Sequence, residues 1–182
     1  MVNAVRARRA SALVIAIAMA STLAACASDD GAISLADTKA PTQLLRNDAA
    51  GRVPADAVLT VGEKGDGSEG CALENDPDGL MRKWHSSLVL EINSASAPTV
   101  DAVSAELSKS FVDEGWDEFL SEGADSSTRT LKKSGSRTQL IITTTDDPDG
   151  DGLGATIAID VLGQCVKTAG PDSEEVQKLG TR

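Results

Sequence analysis

Residues 84–92 of the chain read WHSSLVLEI, in which two kinds of side chain alternate. Apart from Ser86, the even positions are large and apolar: Trp84, Leu88, Leu90 and Ile92. The odd positions are mostly polar: His85, Ser87, Val89 and Glu91. Because successive side chains of a strand point to opposite faces of a sheet, this alternation predicts a β-strand with one buried face.

An amphipathic helix is predicted a few residues after this strand. Thr99 can act as its N-cap, and Gly115 can end it. Between them, apolar residues recur at the three- and four-residue spacing of one helix face: Val100, Val103, Leu107 and Phe111. We expect this face to pack on the sheet and Trp116 to fold back beneath the helix as part of the core.

The second half of the chain has the composition of successive strands, and Gly135 marks a hairpin turn between two of them. These strands are predicted at residues 116–120, 128–133, 137–145 and 155–162. A strand, a helix and then a run of antiparallel strands make a two-layer arrangement. The predicted fold class is therefore α+β, an antiparallel β-sheet with one main amphipathic helix packed on one face, plus short terminal helices.

The periodic spacing of apolar residues is weaker near both ends of the domain. It predicts one or two helical turns after Pro41, a short strand at 58–61 and a short helix at 173–179. Residues 62–70 alternate glycine with charge, which predicts a loop. Its acidic residues would repel phosphate, and it lacks the Gly-Lys-Ser/Thr ending of a phosphate-binding loop.

The N-terminus has the parts of an export signal. A basic flank, Arg6, Arg8 and Arg9, precedes an uncharged run of sixteen residues, Ala10 to Ala25. A membrane-spanning helix needs about 20 apolar residues, so this run predicts a processed signal segment. The run leads into Leu23-Ala24-Ala25-Cys26, in which small residues precede a thiol that a diacylglyceryl group can alkylate. These residues resemble the lipobox of bacterial lipoproteins.

The lipobox resemblance implies cleavage before Cys26, a lipid anchor on that cysteine and a location on the extracellular face of the cell membrane. We therefore expect residues 1–25 to be a lipoprotein signal peptide, 26–38 a flexible tether and 39–182 a single α+β domain. The tether is small and polar and has too little apolar surface to offset the entropy of ordering. In layout alone, the chain resembles small acidic envelope lipoproteins of high-GC Gram-positive (actinobacterial) bacteria, of unknown function.

The charge balance narrows the classes of partner. The whole chain carries a formal net charge of −11, and because residues 1–25 hold three arginines and no acid, cleavage would leave −14. Such a field repels phosphates, so nucleic acid is not an expected partner. With two Trp, two Phe and no Tyr, the chain also lacks the aromatic platforms typical of glycan clefts.

Two cysteines remain if Cys26 is acylated. In an exported protein Cys71 and Cys165 are expected to pair as a disulfide. The alternative is a pair of free or metal-binding thiols, but two cysteines and one histidine make a poor zinc site. A disulfide would tie the glycine-rich segment to the end of the chain, with Cys165 on a continuation of the last predicted strand.

Asp147, Asp149 and Asp151 belong to a D-x-D-x-D-G run that resembles the first half of a calcium loop. Carboxylates at alternate positions, followed by a glycine, can wrap oxygen ligands around a hard cation. However, the twelfth position, where a bidentate carboxylate is expected, is Ala158. Acidic, glycine-rich hairpin loops are common without a metal, and we prefer this interpretation of the run to calcium binding.

His85 is the single histidine of the chain, so any Ser-His-Asp arrangement must use it. The serines beside it lack the glycines of a nucleophile elbow, and the strand pattern places His85 on the outer face. We therefore expect no enzyme and no cofactor. The expected function is that of a membrane-anchored, non-enzymatic binding or interaction module of unknown protein or small-molecule partner, with calcium or small-ligand binding at 147–152 as the alternative.

Overall fold

The computed structural model describes residues 33–93, 99–122, 126–145 and 154–180. Within these ranges, three helices accompany one seven-stranded sheet. The helices are α1 (Leu35–Arg52), α2 (Val100–Val112) and α3 (Glu174–Leu179). The strands are β1 (Val58–Gly70), β2 (Met81–Ile92), β3 (Trp116–Glu122), β4 (Ser126–Lys133), β5 (Gln139–Thr145), β6 (Thr156–Leu162) and β7 (Val166–Lys167). The predicted α+β class, with an antiparallel sheet and a helix packed on it, is confirmed.

The strand order is β1-β2-β6-β5-β4-β3, and every pairing is antiparallel. On the side away from β1, β2 pairs first with the two-residue β7 and then with β6. The long strand β2 therefore joins the N-terminal and C-terminal parts of the described chain. The edges of the sheet are β1 and β3.

One face of the sheet is covered by α1 and α2. The first helix packs over β2 and β6, and the second over the strands from β6 to β3. The main core consists of alternate apolar residues of the central strands, including Leu88, Leu90, Leu140, Ile142, Ile157 and Ile159, against apolar residues of the helices. A smaller cluster joins Trp84 to Leu35, Val166 and Val176 near the start of β2.

The strand and the helix with the clearest sequence patterns are confirmed. Every even position of β2 from Arg82 to Ile92 is buried. The hydroxyl oxygen of Thr99 accepts a hydrogen bond from the Ala102 N–H at 3.3 Å, which caps α2. Trp116 folds back beneath α2, where its ring meets that of Phe111 edge-on with the centroids 5.6 Å apart.

The helix α1 is longer than the predicted one or two turns and begins before the expected end of the tether at residue 38. It spans 18 residues. Its start is fixed by a capping box: the Ser34 hydroxyl accepts from the Asp37 N–H at 3.3 Å, and the Asp37 carboxylate accepts from the Ser34 N–H at 3.0 Å. The short N-terminal helix expected from the sequence is therefore a second main helix.

The predicted loop at 62–70 is wrong, because these residues belong to the strand β1. From Lys64 to Gly70 they pair residue by residue with Leu88 to Arg82 of β2. The charged side chains are tolerated because β1 is an edge strand. A Cβ at Gly62 would lie 3.3 Å from the Val89 carbonyl oxygen, so glycine lets the two backbones approach closely where the register shifts between Val61 and Lys64.

Within the described residues, no helix is long and apolar enough to cross a membrane.

Candidate functional site

The outer face of the sheet, opposite the helices, carries an ionic cluster around His85. The ring nitrogen Nδ1 lies 3.1 Å from Glu69 Oε2, and Nε2 lies 2.7 Å from Asp160 Oδ1. Lys83 Nζ lies 3.2 Å from the other oxygen of Glu69. We call these four residues the His85 cluster; β1, β2 and β6 bring them together through cross-strand pairing.

The two carboxylates define what His85 can do. An ionised carboxylate only accepts hydrogen bonds, so both ring nitrogens must carry a proton for both contacts to be made. Each ring nitrogen that could take a proton from a hydroxyl nucleophile already lies against a carboxylate. The geometry therefore suits an ion pair that links three strands.

The pKa of Glu69 shows the balance of forces in this cluster. Burial raises the pKa of its carboxyl group, but hydrogen bonds from His85 and Lys83 outweigh burial and hold the pKa below its usual value. Because the Glu69 side chain is about one-third exposed, solvent screens this interaction and limits its contribution to stability.

We expect Glu69→Gln to lower the free energy of unfolding near neutral pH by about 0.5 kcal/mol. A depressed pKa contributes stability that is present above the ordinary glutamate value of 4.5 and is lost as the pH falls through the lower, folded-state value. The stability of the variant should therefore decline less steeply between about pH 5 and pH 3. Urea unfolding across this range measures the difference.

Glu63→Gln is the matched control, because Glu63 is exposed on the same strand and forms no ion pair with the residues that the structure describes. Its unfolding curve should follow that of the parent. If the Glu69 and Glu63 variants showed the same pH dependence, the His85 cluster would not be the source of the effect.

A groove opens on the other face of the sheet, between the end of α1 and the edge strand β1. It has a volume of about 580 Å³. Residues from three segments surround it, chiefly Asn47, Ala50 and Gly51 of α1, Leu59, Val61 and Lys64 of β1, and Leu88 and Leu90 of β2. We call this site the groove; its volume is in the range of small-molecule sites.

The groove exists because α1 is centred over β2 and β6 and leaves the β1 edge of the sheet uncovered. Its floor is the main core, since Leu88 and Leu90 are buried. At its mouth, Leu59 is 44% exposed and Val61 is 54% exposed. Large apolar side chains beside a concave surface are typical of a binding site.

A partly buried polar network fixes the wall of the groove formed by α1. Arg46 Nη1 lies 2.7 Å from Asp66 Oδ2, and the hydroxyl of Ser86 donates to the other oxygen of Asp66. Burial raises the pKa of Asp66, but these hydrogen bonds, with a further one from Gln43, outweigh it and lower the pKa. The network ties α1 to β1 and β2 directly beside the groove, because Arg46 precedes the lining residue Asn47.

Cys71 and Cys165 form a disulfide with their Cα atoms 6.1 Å apart, which fits the pairing expected from the sequence. Cys71 directly follows β1, and its N–H donates to the Met81 carbonyl oxygen at 3.0 Å. Cys165 lies in the connection between β6 and β7, because β6 ends at Leu162 and does not continue to the cysteine. The bond ties the end of β1 to the C-terminal segment.

Two groups of predicted site residues lie outside the described residues: Cys26, and the candidate calcium ligands Asp147, Asp149 and Asp151. Lipidation and calcium binding at these positions stay predictions. Among the described residues, no group of three or more His, Cys, Asp or Glu is placed to hold a metal ion.

The sequence did not predict the groove. Its residues come from a helix that was expected to be shorter, from a segment that was expected to be partly a loop, and from the buried face of β2. The one available signal was the pair Leu59 and Val61, apolar residues beside a glycine- and charge-rich segment.

Comparisons of the chain with protein-family models, with curated proteins and with solved structures found no match.

Proposed function

We propose that this chain is a lipid-anchored protein of the cell envelope that acts as a binding module and not as an enzyme. The observation that carries the proposal is the groove, an apolar concave site in which no histidine, cysteine or acidic side chain is among the lining residues that the structure describes. Such a lining can bury part of a ligand but offers no acid-base pair and no thiol or hydroxyl nucleophile.

The contacts of His85 support the non-enzymatic part of the proposal. The chain has one histidine, and both of its ring nitrogens lie against carboxylates on the sheet face opposite the groove. A Ser-His-Asp mechanism needs a neutral imidazole beside the serine hydroxyl. The contacts of His85 instead join β2 to β1 through Glu69 and to β6 through Asp160.

The lipobox resemblance supports the location. In this proposal, residues 1–25 are removed during export, and a lipid on Cys26 holds the domain at the extracellular face of the cell membrane. The membrane is then a partner through the anchor, and the strong negative charge of the chain makes nucleic acid an unsuitable partner.

The anchor is tested by metabolic labelling of the full-length protein with an alkyne fatty acid. We expect the parent to carry label and to sediment with membranes, and Cys26→Ser to lose both properties, because a hydroxyl is not alkylated by the lipid donor. Ser28→Ala, two residues away, is the control and should be labelled like the parent. Label that persisted on the Cys26→Ser protein would overturn the proposed anchor.

A further inference from the structure

The groove has a charge pattern that differs from the rest of this acidic chain. The chain contains 28 aspartates and glutamates, yet none of them is among the described residues that line the groove. Within the described lining, the one ionisable residue is Lys64, and the other polar side chain is that of Asn47. The groove therefore combines an apolar interior with a single positive charge.

Lys64 is available for a ligand. The two arginines nearest the groove on α1 are already paired, Arg46 with Asp66 and Arg52 with Asp48 and Glu114. Lys64 forms no ion pair with any residue of the described ranges. A lysine at the rim of an apolar site can donate a charge-assisted hydrogen bond to an anionic head group.

From this complementarity we propose that the groove binds one free long-chain fatty acid, with its carboxylate at Lys64 and its hydrocarbon chain along Leu59 and Val61 over Leu88 and Leu90. The inference rests on the proposed binding function. A single lysine favours a carboxylate over a phosphate head group, since proteins recognise phosphates preferentially with arginine forks or several donors. A volume of about 580 Å³ suits one hydrocarbon chain.

An extended peptide fits the same site less well. Strand addition needs a regular edge, whereas β1 has two register shifts, between Val58 and Thr60 and between Val61 and Lys64. Charged side chains also line this edge, as is typical of strands that avoid pairing with a second chain. A fatty acid has no peptide backbone, so it does not need to match the hydrogen-bonding register of a strand edge.

The test is photo-crosslinking of the full-length protein in membranes, with palmitate that carries a diazirine at the far end of its chain. We expect light-dependent adducts on peptides that contain groove residues, and competition by unlabelled palmitate. Competition by hexadecanol should need about tenfold higher concentrations, since the alcohol cannot pair with Lys64. Adducts confined to other surfaces, or no light-dependent adduct, would overturn the proposal.

Two variants test the chain and the head group separately. Gly51→Leu adds a bulky side chain at a residue that lines the groove. A Cβ at Gly51 has nothing within 4 Å, so the protein should fold normally, and we expect crosslinking to be lost. Lys64→Met should weaken competition by palmitate about tenfold and leave competition by hexadecanol unchanged. Equal crosslinking of the parent and Gly51→Leu would contradict the proposed site.

Matched controls are available for both variants. Ala40→Leu adds the same side chain at an exposed position near the other end of α1, and Lys133→Met removes an exposed lysine from β4, three strands beyond β2. Both should crosslink like the parent. Metabolic label at Cys26 forms without light, whereas the groove is tested by light-dependent crosslinks. A wrong anchor proposal and a wrong groove proposal therefore give different results.

Discussion

Replacing both Cys71 and Cys165 with alanine is expected to lower the free energy of unfolding by about 4 kcal/mol. The disulfide closes a loop between residues 94 positions apart, and a long loop restricts the unfolded chain strongly. The bond also lies beside the smaller core, in which four buried residues hold the start of α1, β2, β7 and α3 together. Urea unfolding of the exported protein measures the loss.

A reductant provides the control for this prediction. The parent should lose about the same stability when it is reduced, and the double variant should be insensitive to reductant. A loss of less than about 1 kcal/mol in the double variant would contradict the role that we assign to the disulfide. In that case the two cores alone would hold β1 against the C-terminal segment.

Replacing Arg46 with methionine is expected to cost about 2 kcal/mol. The Arg46 side chain is 7% exposed and its partner Asp66 is 29% exposed, so the variant leaves a carboxylate in a largely covered position without its cation. We place the cost below that of a fully buried pair because water reaches part of Asp66. Chemical denaturation at neutral pH measures it.

Lys109→Met is the matched control, because Lys109 also pairs with an aspartate but is 70% exposed. Its effect should be below about 0.5 kcal/mol. Acidification provides a second measurement. The pKa of Asp66 is lowered in the folded protein, so its contribution is present above the ordinary value of 3.8 and is lost as the pH falls through the folded-state pKa. Equal effects of Arg46→Met and Lys109→Met would contradict the account.

The sequence predicted β2 and α2 well because both bury apolar residues on one face at a regular spacing. The helix α1 was underestimated for a physical reason. Its buried side consists of Leu35, Thr38, Thr42, Arg46 and Ala49, which have helical spacing but are mostly polar or small. The threonine hydroxyls make their hydrogen bonds to backbone carbonyls of the same helix, so they can be buried. Thr38, for example, donates to the Leu35 carbonyl oxygen at 2.7 Å.

The part of β1 from residue 62 to residue 70 was mistaken for a loop because glycine and charge are typical of loops. At the edge of a sheet the charges remain exposed, and glycine permits the close contact at Val89. Pairing with the strongly patterned β2 decides the structure of this segment, and such pairing cannot be derived from local composition. The groove could not be predicted for the same reason. Its walls include parts of α1 and β1 that the sequence pattern did not assign to a helix or a strand.

The central claim is that this protein binds its ligand in the groove between α1 and β1. Methyl NMR of the full-length protein in lipid nanodiscs, titrated with palmitate, tests that claim most directly. We expect shifts at Ala50, Leu59, Val61 and Leu88, on the helix side of the sheet, which saturate with one fatty acid per chain. Shifts confined to Val89, Ile141 and Ala158 on the opposite sheet face, or none at all, would contradict it.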